Sequence, residues 1–188
     1  MATNLLDRAR HAAAAQLAGL RDPSIFRSDR PLYVREPADN LIPGISLGDF
    51  RADLDAADGN ELRDGRTRPA KFCASYSSSA LAVNNFAPFK RYPAALTIAG
   101  VGGFTVAPKF EGKCPNGLFE ESGTPSRPPN LDLLAISGDT VVAVESKFLE
   151  PLSTKTQALS PKYAAPFLGV DGSRPIAEAE WTEMYNRV

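Results

Sequence analysis

Two short apolar runs joined by four turn residues constrain this chain more than any other feature. Residues 131–136 (LDLLAI) and 141–148 (VVAVESKF) are rich in Leu, Ile and Val, and Ser137-Gly138-Asp139-Thr140 lies between them. Runs of that length and make-up read as strands, and a Gly-Asp pair at the centre of the turn reads as a tight hairpin. With Gly138 and Asp139 central, Ser137 pairs with Thr140, Ile136 with Val141 and Ala135 with Val142. The same register carried outward puts Asp132 opposite Glu145 and Asn130 opposite Lys147. Directly opposed residues share a face, with Cβ atoms about 4.5–5.5 Å apart. Lys147, two residues beyond Glu145, lies on that face as well.

Two carboxylates facing each other across a strand pair repel. A divalent cation relieves the repulsion, and Mg²⁺ in particular binds one or two carboxylates together with waters and phosphate oxygens. A lysine beside it can orient or deprotonate a water, or stabilise charge on a phosphate. Asp132, Glu145 and Lys147 therefore supply what metal-assisted phosphodiester hydrolysis needs. The competing reading is a solvent-facing strand on which Lys147 simply neutralises the two acids. These three residues do not by themselves choose between the two.

The remaining sequence predicts a chain with many turns, since it holds 16 prolines and 14 glycines among 188 residues. That length suits one domain, or one domain with an arm. Residues 4–20 read as a helix capped by Asn4 and stopped before Pro23, and residues 22–43 as an extended arm. Residues 47–57 predict a short helix. Asp53, Asp55 and Asp58 resemble a calcium loop only loosely and miss its spacing. Ser77-Ser78-Ser79 caps a helix over residues 80–86, ended by Pro88. Residues 95–99 (ALTIA) read as a strand. Gly100, Gly102 and Gly103 then make a turn rather than a phosphate loop, because no helix follows. Residues 104–113 predict a second strand, with Pro108 marking an edge or bulge. Residues 120–129 form a polar loop, residues 149–174 are irregular, and residues 175–188 read as a final helix with Pro175 in its first turn.

Net charge is −1 and the pI about 5.9, so a global basic signature for nucleic acid is missing. A local one exists. Between residues 61 and 92, six cations (Arg63, Arg66, Arg68, Lys71, Lys90, Arg91) face two acids (Glu61, Asp64), leaving +4. Arg63, Arg66, Arg68 and Lys71 are the candidate phosphate contacts, against the plainer reading of a solvated face. Cys73 and Cys114 match no metal-ligand spacing, and the lone His11 sits in an alanine-rich helix, so zinc is not expected. Reduced, partly buried cysteines fit a cytoplasmic protein. No apolar run has membrane-spanning length, and residues 12–15 make a poor signal core.

Pro129-Asn130-Leu131-Asp132, followed by Val141-Val142-Ala143-Val144-Glu145-Ser146-Lys147, resembles the PD-(D/E)XK nuclease superfamily, which includes many restriction endonucleases. Its pattern is an acid on one strand and acid-x-Lys on the next, with an apolar lead-in. Leu131 stands where the pattern has proline. The wider segment 72–149, notably SSSALAVN, FEGKCP and ESKF, also resembles uncharacterised proteins of restriction endonuclease type.

The resemblance implies an α/β (α+β) fold, with a central mixed sheet containing antiparallel strands and flanked by helices. Residues 77–86 and 175–188 would supply the helices, and residues 104–113, 131–136 and 141–148 the strands. An N-terminal helix and arm (residues 1–70) would precede a nuclease-like core (residues 71–188). It implies a Mg²⁺- or Mn²⁺-dependent deoxyribonuclease, an endonuclease of defence or DNA processing. Asp132 and Glu145 would bind the metal, the Ser146 carbonyl would add a ligand, and Lys147 would handle the water. Glu111-Gly112-Lys113 repeats acid-x-Lys but lacks an apolar lead-in and an upstream partner acid. It reads as first strand, from which Glu111 can lend a further carboxylate; Glu61 is a weaker candidate for that role. No clear final strand follows the last helix. Its apolar stripe, Ala177, Trp181, Met184, Tyr185 and Val188, needs a cover, either more chain or another subunit, such as a second copy. The alternative function is a nucleic-acid-binding module that keeps the fold without cutting. A glycosidase using Asp132 and Glu145 fits less well, since such pairs sit at least about 5 Å apart in an aromatic-lined cleft.

Overall fold

The hairpin forms in the expected register. In the computed structural model, which describes residues 4–57, 60–113 and 130–152, strand β2 (Asn130–Ser137) pairs antiparallel with β3 (Thr140–Val144) from Ser137↔Thr140 to Leu133↔Val144. Gly138 takes φ +56°, and Asp139 is not among the described non-glycine residues with positive φ. A left-handed residue at the first central position alone matches a glycine-led II′ turn. Strand β1 (Lys109–Lys113) pairs antiparallel with the other edge of β2, giving the order β1-β2-β3. With its helices this is the mixed α/β class of α+β type. Among the described residues the sheet is antiparallel throughout.

Three strand expectations need correction. Residues 95–99 form no strand: Pro93–Ala95 makes a 3₁₀ turn, and Ile98 folds back to Val101 through left-handed Ala99 and Gly100. Leu96 is instead a plug, 2% exposed, in a small cluster with Phe104 and Ala135. The second strand starts at Lys109 rather than 104, immediately after Pro108, which has no N–H to give a ladder. The strand expected over residues 141–148 ends at Val144, before the acid that would face Asp132. Further pairing would set like charges directly opposite each other.

Helix α1 (Leu5–Leu20) is capped as expected, with Asn4 Oδ1 accepting from Asp7 N at 2.8 Å, and His11 is exposed. Single 3₁₀ turns punctuate the proline-rich stretch that follows. Asn40 pins that stretch: its side chain donates to the carbonyls of Phe72 and Ala74 at 2.7 and 2.8 Å. Short helix α2 (Arg51–Ala56) then carries Asp53. It pairs with Lys90 at 2.6 Å and accepts from Phe110 N at 3.1 Å, tying α2 to β1. Helix α3 (Ser78–Phe86) is capped by Ser77, and Pro88 opens a further turn, α4 (Pro88–Arg91), rather than ending the helical path. Proline is tolerated at a first turn, where its missing N–H has no partner to lose.

The main core joins Leu41, Phe50, Leu54, Phe72, Val83, Phe110 and Leu133. Phe50 stacks on Phe72 at 6.2 Å and meets Phe110 edge-on at 5.7 Å. Burying each ring stabilises the fold by about 1.5–3 kcal/mol, and such ring pairs add about 0.5–1.5 kcal/mol. Along β2, Leu133 is buried in this core and Ala135 in the Leu96 cluster while Asp132 and Ile136 are not buried, so the alternation that buries those residues also turns Asp132 outward. Cys73 is fully buried rather than partly so. Cys114, the loop at 120–129, the last helix at 175–188 and its apolar stripe lie outside the described residues.

Candidate active site

The end of the hairpin opens into a cleft of about 600 Å³, and Glu61, Lys71, Glu111, Asn130, Asp132, Glu145, Ser146 and Lys147 all line it. The sequence-predicted acids and lysine are thus brought together. Each arrives by a different local route.

Asp132 comes from the outward face of β2. It does not meet Glu145 through a ladder pair, because β3 has already ended; its Oδ2 accepts from the backbone N–H of Ser146 at 2.5 Å. Burial raises its carboxyl above the ordinary range, the nearby Glu145 charge adds to that, and the Ser146 N–H works against both. Glu145 turns to its neighbour Lys147, in an ion pair whose two side chains are about half exposed. That carboxylate raises the Lys147 ammonium above its usual value. Lys147 is therefore a firm cation at neutral pH.

Glu111 comes from β1 with φ +50°, an uncommon backbone for a residue with a side chain. Its neighbours keep register, Phe110↔Leu133 and Gly112↔Leu131, so Glu111 stands level with Asp132. Gly112 permits the close approach: a Cβ there would lie 2.6 Å from Leu134 Cβ. Burial pushes the Glu111 carboxyl up to about 7, helped by the charges of Glu61 and Asp132 and opposed by Lys71. Glu61 itself is only 6% exposed, held by Lys71 Nζ at 2.7 Å and by Ser79 Oγ at 3.1 Å.

The basic segment divides. Lys71 and Arg68 line the cleft, whereas Arg63 and Arg66 are exposed and are not part of its lining. Arg10, Tyr33 and Tyr76 also line it and were not legible beforehand, since no spacing links positions 10, 33 and 76.

The donor set is of the kind that suits Mg²⁺ or Mn²⁺: hard oxygens with no cysteine or histidine among them. Asn130 Oδ1 adds a buried acceptor with no hydrogen-bond partner among the described residues. Among the described residues, no three His, Cys, Asp or Glu side chains stand close enough to form a ready metal-holding group. Asp132 is held by Ser146 and Glu145 by Lys147. The residues fit a divalent cation by donor type and by shared cleft, and side-chain rotation would have to complete the set.

The chain matches the family described as Restriction Endonuclease associating with ARP (REase-ARP) over residues 7–185. No curated protein and no solved structure matches it. No helix among the described residues is long and apolar enough to cross a membrane.

Proposed function

The chain belongs to the family of restriction endonucleases associating with ARP, and from that premise we propose that it is a metal-dependent DNA nuclease of endonuclease type. The observation that carries the reading is the convergence of Glu111, Asp132, Glu145 and Lys147 on one cleft, where burial and like charge raise two of the carboxyls. Such perturbed acids in a cleft are a signature of working sites. Mg²⁺ or Mn²⁺, held by Asp132 and Glu145 with Glu111, Asn130 Oδ1 or the Ser146 carbonyl contributing, would polarise a phosphate and acidify a water.

This chain's own residues do the rest. Ser146 N–H fixes the Asp132 carboxylate, so that one ligand is positioned before any cation arrives. Lys147 stays protonated, which suits it to neutralise charge building on the phosphate oxygens better than to remove a proton from water. In the hydrolysis, water adds to phosphorus, one P–O ester bond breaks, and the leaving oxygen takes up a proton. Strand placement of Asp132 and Glu111 gives the site a rigid base.

One observation favours the non-cleaving alternative. Glu145 is engaged with Lys147, and no three acids that share the cleft stand close enough to hold a metal ion among the described residues. Incubating the protein with duplex DNA in Mg²⁺ or Mn²⁺, against an EDTA control, decides between the readings. Metal-dependent cutting supports the nuclease, binding without cutting in any metal supports the alternative, and cutting that survives EDTA removes the metal mechanism.

A further inference from the structure

Part of the cleft is acidic; another part is basic and aromatic. Arg10 of α1, Arg68, Tyr33 and Tyr76 share the lining with the acid group. The Arg10 guanidinium lies 5.1 Å from the centroid of the Tyr76 ring. Tyr76 meets Tyr33 edge-on at 6.1 Å, with the two hydroxyls 3.2 Å apart. A cation over one ring and a second ring against its edge hold the guanidinium in place.

Arg10 spends Nη1 on Asp7, at 3.1 Å. Its Nε is buried and donates to no acceptor among the described residues. Leaving a buried donor unmatched is costly, and a fixed guanidinium fork is shaped for the oxygens of a phosphate. Arg68 brings a second cation to the same cleft from an exposed position. Lys71 is a poorer candidate because it is committed to Glu61. Arg10 already covers one face of Tyr76, so the ring serves the cation rather than offering that face to a base.

We propose that Arg10 and Arg68 form a backbone-phosphate subsite for the DNA strand on which the acid group acts, making helix α1 part of the substrate-binding surface. The proposal rests on the nuclease reading for its substrate, and it splits the basic segment: Arg68 contacts DNA from within the cleft, Arg63 and Arg66 do not.

The test is anisotropy of a labelled DNA duplex with the full chain, in EDTA and in Ca²⁺, over a range of salt. Arg68→Ala and Arg10→Gln should each weaken binding several-fold for all sequences alike, with a salt slope shallower by about one. Arg10→Lys should keep the slope, and Arg63→Ala should change neither quantity. Arg68 is exposed, so its variant carries the test even if Arg10→Gln misfolds. Unchanged affinity and slope in Arg68→Ala, an equal loss in Arg63→Ala, or a wild type that binds no DNA would overturn the subsite. Cleavage is scored separately. A protein that cuts but binds DNA equally well without these arginines loses the subsite and keeps the activity. One whose binding depends on them but that never cuts keeps the subsite alone.

Discussion

Asp132 Oδ2 accepts a hydrogen bond from the backbone N–H of Ser146 at 2.5 Å. A side chain of β2 thereby replaces the ladder pairing that β3 abandons after Val144. The sequence Glu145-Ser146-Lys147 leaves the sheet at this point, with one acid and one lysine on either side of the bond that holds the other acid. Hairpin, acid pair and lysine become one unit, whose parts can be perturbed separately.

Gly112 lies on β1, beside that unit. Its missing side chain lets β1 lie against Leu134, where a Cβ would sit 2.6 Å from Leu134 Cβ, beside strained Glu111. Gly112→Ala should destabilise the protein by about 1–3 kcal/mol, the usual cost of overpacking. Urea denaturation reads this as a lower midpoint with an unchanged slope. An alanine variant with the wild-type midpoint would mean that the two strands separate freely there.

Lys71 and Glu61 line the same cleft and supply the second prediction. Glu61 is 6% exposed and Lys71 is its cation at 2.7 Å. Removing one partner leaves a buried charge uncompensated. The half-exposed lysine screens the pair, so Lys71→Ala should cost about 1–3 kcal/mol rather than the full buried-pair penalty. Adding Glu61→Gln should recover most of that loss, because the stranded charge goes with it. A double-mutant cycle measures the coupling, and strictly additive losses would show that the two side chains do not depend on each other.

The hairpin was legible because its signals are local. The turn at Gly138, the alternation along β2 and the acid-x-Lys spacing all lie within 18 residues, and the register they imply is the observed one as far as Leu133↔Val144. Residues 95–99 failed for the opposite reason. Their apolar content was real, but tertiary contacts use Leu96 as a plug, and the left-handed turn at Ala99 and Gly100 prevents a strand. Glu111 was visible only as an optional acid; its place level with Asp132 depends on β1 pairing across a long stretch of chain. Arg10 and Tyr76 share no local pattern at all. Their meeting over 66 positions is a product of packing.

The Glu111 carboxyl gives the third prediction. In the metal-free fold it is pushed up to about 7 from an ordinary 4.5. Between those values the folded state holds a proton that the unfolded state has released. Stability therefore falls as pH rises from about 4.5 to about 7 and is flat for this group outside that window. Glu111→Gln should remove this slope. The gain at pH 8 should be at most about 2 kcal/mol, discounted because the group is only partly buried. Thermal melting in EDTA at pH 5 and pH 8 checks it. Equal pH slopes in both proteins would place Glu111 in ordinary solvent.

Asp132 supplies the last prediction. Burial and the Glu145 charge raise its carboxyl, so its ionised form is disfavoured by the metal-free fold. Asp132→Asn removes that charge and keeps an oxygen able to accept from Ser146 N–H. The variant should lose cleavage and metal binding, yet melt in EDTA at or above the wild-type temperature. Adding Mg²⁺ or Mn²⁺ should raise the wild-type melting temperature, since a ligand bound only by the folded state stabilises it by about 2.7 kcal/mol at a hundredfold excess over Kd. The variant should lose most of that gain. If Asp132 were merely a surface acid neutralised by Lys147, the pattern would reverse, with Asp132→Asn melting slightly lower and metal moving neither curve. Melting curves of the two proteins, each in EDTA and in metal, therefore separate an active-site acid from a structural one even if no cleavage substrate is known.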